Sequence, residues 1–184
     1  MKSKVLILYY SINGSTERVA RRIEKGFERK EFDVTVRKIQ EADDISYFDY
    51  DLICFGFPSI HWHVPAPVEQ YLKSQFQKHT KEGRIIPGAP RIGKDVLVFC
   101  TYCGTHTGIR EAEPAVRYAG QFFEHVGFSV VDEWYVVGEF KNNEPNNLYG
   151  RLGNVSGQPD EASLGRIESA AVNLASRLVA EKGL

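Results

Sequence analysis

The stretch KVLILYYSINGSTERVARRIEKGF, residues 4–27, decides the fold. An apolar run from Val5 to Tyr10 stops at Ser11-Ile12-Asn13-Gly14-Ser15-Thr16, and an amphipathic pattern follows with Val19, Ile23 and Phe27 on one stripe. The order is a buried strand, a short loop rich in hydroxyl and amide groups, and a helix. Such a loop surrounds an anion with backbone N–H groups at the positive end of the helix dipole. It contains no lysine, so it offers neutral hydrogen bonds instead of a point charge. Alone, Asn13-Gly14 followed by Ser15-Thr16 reads equally well as a turn and a helix N-cap.

The same alternation continues outward. Further strands are expected at Val34–Arg37, Leu52–Phe57, Val96–Thr101 and Ser129–Val137, and Trp134 and Tyr135 in the last of these read as packing residues. Leu52–Phe57 and Val96–Thr101 are almost continuously apolar, the mark of strands covered on both faces of a parallel sheet. Helices are expected at Thr16–Arg29, Pro67–Gln77, Glu111–Val126 and Pro159–Glu181. Gly127 and Gly183 serve as stop signals, and Pro159-Asp160-Glu161 places a proline and two acids in a first turn. Alternating β and α elements give a doubly wound α/β fold with helices on both faces of a five-stranded parallel sheet. The order 2-1-3-4-5 then puts a ligand crevice at the carboxyl ends of strands 1 and 3. Three loops meet at that edge: Ser11–Thr16, Pro58–Pro65 and Tyr102–Gly108. Two longer loops, Lys78–Lys94 and Gly138–Gln158, lead back into sheet elements, which argues against either being a domain linker.

The totals bound the function. A chain of 184 residues reads as one domain, residues 1–184, with enough length to bury a core. A formal net charge of −1 argues against a nucleic-acid binder. There is no apolar run long enough to span a membrane and no signal-peptide pattern, so a cytoplasmic location is expected. Three cysteines, an odd number, suit a reducing compartment better than a disulfide framework. Cys100 and Cys103 form a Cys-x-x-Cys pair across a strand end, without the helix start of a redox dithiol or two further ligands for zinc. Cys100 is expected in the core and Cys103 in the loop.

Several phosphate sites are absent. No G-x-G-x-x-G follows the first strand and there is no G-x-x-x-x-G-K-[ST]. A receiver domain needs an aspartate at the end of the third strand, where this chain reads Cys54-Phe55-Gly56-Phe57; Asp49 and Asp51 lie at the opposite edge.

The three loops do resemble those of the flavodoxin family. Ser11-Ile12-Asn13-Gly14-Ser15-Thr16 is similar to the family's FMN phosphate loop, with Asn13 where Thr is usual. Gly56-Phe57-Pro58-Ser59-Ile60-His61-Trp62 resembles the G-x-P loop that flanks the isoalloxazine. Thr101-Tyr102-Cys103-Gly104-Thr105-His106-Thr107-Gly108 resembles the second flavin loop, and Gly157–Glu161 before the last helix also looks familial. The resemblance implies a flavodoxin-like fold with non-covalently bound FMN. Its phosphate would lie on residues Ser11 to Thr16. Its ring would lie among Pro58, Ser59, Ile60, His61, Trp62, Thr101, Tyr102, Cys103, Gly104, His106 and Gly108. Aromatic walls suit a flat ring, and Trp62 and Tyr102 stand in the two wall loops. His61 and His63 read either as donors to the ligand or as bystanders.

Gly104-Thr105-His106-Thr107-Gly108, with Glu111 beyond, also has some similarity to the G-T-x-H-G-G-x-E pattern of tryptophan-repressor-binding-protein type NAD(P)H:quinone oxidoreductases. The spacing is shorter here. That resemblance makes His106 a catalytic candidate beside the flavin; a solvated loop histidine is the equal alternative. Two functions follow: an electron carrier that meets a redox partner protein at the ring edge, or an NAD(P)H-dependent reductase of a small acceptor such as a quinone. Reductases of the second kind form dimers and tetramers, so a homo-oligomer belongs with that reading. The net charge of −1 departs from the strongly acidic family carriers. A flavin-free interaction scaffold is the third and weakest reading.

Overall fold

A computed structural model describes residues 2–39 and 45–182. Five parallel strands, β1 (Lys4–Tyr9), β2 (Asp33–Lys38), β3 (Leu52–Pro58), β4 (Asp95–Tyr102) and β5 (Ser129–Val137), form one sheet in the order β2-β1-β3-β4-β5. This is the flavodoxin-like doubly wound arrangement expected from the sequence. α1 (Ser15–Glu28) and α5 (Glu161–Lys182) cover one face, and α2 (Ala66–Lys81) and α3 (Glu113–His125) cover the other.

The period of two along each strand divides the core. Val5, Ile7 and Tyr9 of β1, with Cys54 and Phe99, face Val19, Ile23 and Phe27 of α1 and Leu174 of α5. Leu6 and Leu8, with Phe55, Phe57 and Val98, face Val68 and Leu72 of α2 and Val116 and Phe123 of α3. β3 and β4 are buried along almost their whole length, as continuous apolar runs in a parallel sheet should be. Trp134 and Tyr135 are partly buried, on opposite faces of the sheet.

The departures from expectation have local causes. The pattern read as one helix from Glu111 splits into a 3₁₀ turn, Gly108–Glu111, and α3 from Glu113. Pro114 lies in the first turn of α3 and cannot supply an N–H to a longer helix. α5 starts at Glu161 because Asp160 acts as its cap, its Oδ1 accepting from the Ser163 amide at 2.7 Å. Asp160 is therefore outside the first turn. α2 runs on to Lys81, four residues into the stretch expected as loop. The long loop after β5 holds a short helix, α4 (Glu144–Leu148), with Asn143 accepting from the Asn146 amide. Gly127 follows α3 with φ +90°, while Gly183 lies outside the described residues.

Candidate functional site

At the carboxyl ends of β1, β3, β4 and β5 the loops enclose a cleft. Phe140 stands where it divides into a part of about 290 Å³ and a part of about 330 Å³. Ser11, Ile12, Asn13, Ser15 and Thr16 line the first part, with Pro58, Thr101 and Gly138. His61, Trp62, Thr105, His106 and Glu111 line the second. Ser59, Ile60, Tyr102 and Cys103 border both. The structure thus brings together nearly all of the site residues expected from the sequence. Gly14, Gly104 and Gly108 shape the loops without lining the cleft.

The first loop is held by its own hydroxyls. Ser11 Oγ accepts from the amides of Gly14 at 3.1 Å and Glu17 at 3.3 Å. Thr16 Oγ1 pairs with Thr101 Oγ1 at 2.8 Å in a buried contact that fixes the start of α1 to β4. The amides of Ser15 and Thr16 in the first turn of α1 have no acceptor among the described residues. Such open donors at a helix N-terminus are what an anion requires.

The second loop is a two-residue hairpin. Ile60 and His63 exchange backbone hydrogen bonds of 2.9 and 3.0 Å, and the two residues between them are left-handed, His61 at φ +48° and Trp62 at φ +63°. Two positive φ values are the signature of a type I′ turn, which favours Asn-Gly. Here the turn carries a histidine and a tryptophan, and it holds the indole 61% exposed against the cleft. His63 does not join the site; its ring lies 4.6 Å from that of Tyr118. His61 does line it.

The third loop is shaped by a carboxylate. Glu111 Oε1 accepts from the amides of His106 at 2.6 Å and Thr107 at 2.7 Å. Gly104 takes φ +68°, and a Cβ there would fall 2.7 Å from Leu152 Cδ1, so the turn requires glycine. The amides of Cys103, Gly104 and Thr105 donate to no acceptor among the described residues. Tyr102 is buried, and desolvation holds its hydroxyl above the ordinary tyrosine range. Cys103 is half-buried and receives a hydrogen bond from Thr105 Oγ1 at 3.4 Å. Cys100 and Cys54 are buried, and desolvation pushes both thiols far up. The Cys-x-x-Cys pair is therefore split between core and cleft, and no group of three metal-ligating side chains occurs among the described residues.

A fourth contributor went unread in the sequence. The chain leaving β5 crosses the first loop: a Cβ on Gly138 would lie 3.6 Å from that of Ser15. Asn147 then clasps Phe140, its Oδ1 accepting from the Phe140 amide at 2.7 Å and its Nδ2 donating to the carbonyl at 2.9 Å. That places Glu139, Phe140 and Lys141 in the cleft. The only signal was Asn143-Glu144-Pro145, a cap, an acid and a proline that mark a helix start inside the loop.

The family model described as flavodoxin matches residues 7–149. Among solved structures, flavodoxin 2 of Bacillus cereus superposes with a TM-score of 0.68 at 19% identity, over 95% of this chain and 99% of that one. Flavodoxin 1 of the same organism gives 0.66 at 16% identity, over 96% and 99%. The flavodiiron protein from Giardia intestinalis gives 0.61 at 16% identity, over 96% of this chain and 36% of that one. No curated protein sequence matches.

Proposed function

The chain belongs to the flavodoxin family, and from that premise we propose that it holds one FMN non-covalently in the loop cleft and carries electrons through it. One observation carries this reading. A single cleft joins unclaimed amides at Ser15 and Thr16 to an aromatic wall of Trp62, Tyr102 and Phe140. The donor set fits the cofactor: open N–H groups at one end suit a phosphate, and those of Cys103 to Thr105 suit the acceptors of a pyrimidine edge.

When bound, the flavin supplies reversible one- and two-electron chemistry. The chain's part is to orient it and exclude water. Trp62 and Tyr102 would cover the ring, and Glu111 keeps the His106 and Thr107 amides in a fixed turn beside it. Residues 1–184 act in this reading as one flavodoxin-like domain. Three free thiols suit a cytoplasmic setting. No helix among the described residues is long and apolar enough to cross a membrane.

A second reading, an NAD(P)H-dependent reductase of a quinone-like acceptor, is favoured by His106. It lies with Trp62 in the second part of the cleft, where a flat acceptor would fit beside a ring. Anaerobic titration of the FMN-loaded protein with dithionite, then with NADPH or NADH, tests both. The carrier reading expects reversible bleaching by dithionite and none by the nicotinamide. A flavin that dithionite cannot reversibly reduce refutes the carrier, and a flavin left oxidised by NAD(P)H refutes the reductase.

A further inference from the structure

The phosphate end of the cleft is short of charge if its loop acts alone. Residues 11–16 contain no cation, and a helix N-terminus supplies only about half a positive charge. A phosphate monoester carries roughly −1.5 to −2 near neutral pH. Neighbouring charges do not fill the deficit. Arg18, in the first turn of α1, is paired with Glu161 at 3.5 Å. Arg22 is paired with Glu161 and Glu168.

We propose that Lys141 is the specificity-determining cation of this site, reaching from the arm after β5 to the phosphate that the Ser11–Thr16 loop holds. The inference rests on the FMN reading above. Lys141 is the one lysine or arginine among the described residues that lines the cleft, and it does so on the same side as Asn13, Ser15 and Thr16. It has no ion pair among those residues, so its charge is free for a ligand.

Its placement is built into the arm. Gly138 rests against Ser15 and Thr101. The Glu139 amide donates to the Gln158 carbonyl at 2.9 Å, and Asn147 grips both backbone groups of Phe140. Lys141 follows directly on this fixed point. Glu139 lines the same part of the cleft, but its Oε2 is engaged, accepting from the Gly157 amide at 2.8 Å. The arm thus presents a cation to the phosphate end and ties its carboxylate back to its own turn. The site should therefore distinguish FMN from riboflavin by charge as well as by the amides of α1.

The test is fluorescence titration of wild type, Lys141→Gln and Lys141→Arg with FMN and with riboflavin, at low and high NaCl. Lys141→Gln should weaken FMN roughly three- to tenfold at low salt. It should leave riboflavin within twofold and flatten the salt dependence of FMN binding. Lys141→Arg should retain most of the FMN affinity. If Lys141→Gln binds FMN as wild type does, or loses riboflavin by the same factor, the proposal is overturned while the FMN reading stands. If wild type binds neither flavin, both fall together.

Discussion

Trp62 offers a perturbation whose two effects should run in opposite directions. Its φ of +63°, next to φ +48° at His61, places it in backbone that L-residues avoid, at about 1–2 kcal/mol per residue. Glycine removes that penalty but adds about 0.5–1 kcal/mol of unfolded-state entropy. The indole is 61% exposed, so little buried contact is lost. Trp62→Gly should therefore stabilise the flavin-free protein by about 0.5–1 kcal/mol, a rise of about 1–4 °C in Tm for a chain of this length. Binding should move the other way. A ring on one indole face would cover roughly 70 Å², a third of the ~200 Å² that a large aromatic buries. At ~25 cal/mol per Å² this is about 1.8 kcal/mol, to which stacking adds about 0.5–1.5 kcal/mol. FMN affinity should fall about 50- to 250-fold. Trp62→Ala should lose similar affinity without the gain in Tm, and Trp62→Phe should keep much of the affinity. Differential scanning fluorimetry of the flavin-free protein and fluorescence titration with FMN measure the two effects. A lower Tm for Trp62→Gly would refute the strained-turn argument; an FMN Kd within threefold of wild type would remove Trp62 from the wall.

Three other sites give independent tests. At Gly56 a Cβ would lie 2.0 Å from Cζ of the fully buried Phe99. Gly56→Ala should cost about 1–3 kcal/mol and lower Tm by roughly 3–10 °C; Phe99→Leu in that background should recover part of the loss, and an unchanged Tm would contradict the packing. His79 is buried, with its Nε2 and the Gln75 Oε1 unpartnered, and desolvation holds its pKa below 6.5 despite Glu82 at 3.2 Å. Because the unfolded histidine protonates first, its contribution is intact above pH 6.5 and is lost as pH falls toward the lower folded pKa. Urea midpoints at pH 7.5 and 5.5 should fall more for wild type than for His79→Phe, and equal falls would count against it. Glu168 joins Arg22 at 3.2 Å and Arg29 at 2.7 Å across α1 and α5. Glu168→Gln should lose about 1–2 kcal/mol in urea titration, discounted for the exposed arginines, with a smaller gap at high salt. No loss would reduce this network to decoration.

The strands were legible because a parallel sheet buried on both faces writes itself as apolar runs, and Leu52–Phe57 and Val96–Thr101 admit little else. The Ser11–Thr16 and Pro58–Trp62 loops were legible because strand order alone brings their ends to one edge. What stayed hidden depends on paths through space. Phe140 and Lys141 reach the cleft only because Asn147 folds the loop after β5 back on itself. His79 lies just past Gln77, where the helix was expected to end, and is buried because α2 continues through it to Lys81. The irregular register between β4 and β5, where Val96 faces Val130 and Leu97 faces Asp132, leaves no mark in the alternation. His61 and His63 look alike in sequence and part company at the turn, one toward the cleft and one toward Tyr118.

The central claim is that this cleft holds FMN. The most direct measurement is the cofactor released by denaturing the purified protein, together with uptake by the flavin-free chain. We expect a yellow protein that releases FMN and rebinds it one per chain. A colourless protein that takes up no FMN, or one that releases FAD instead, contradicts the account.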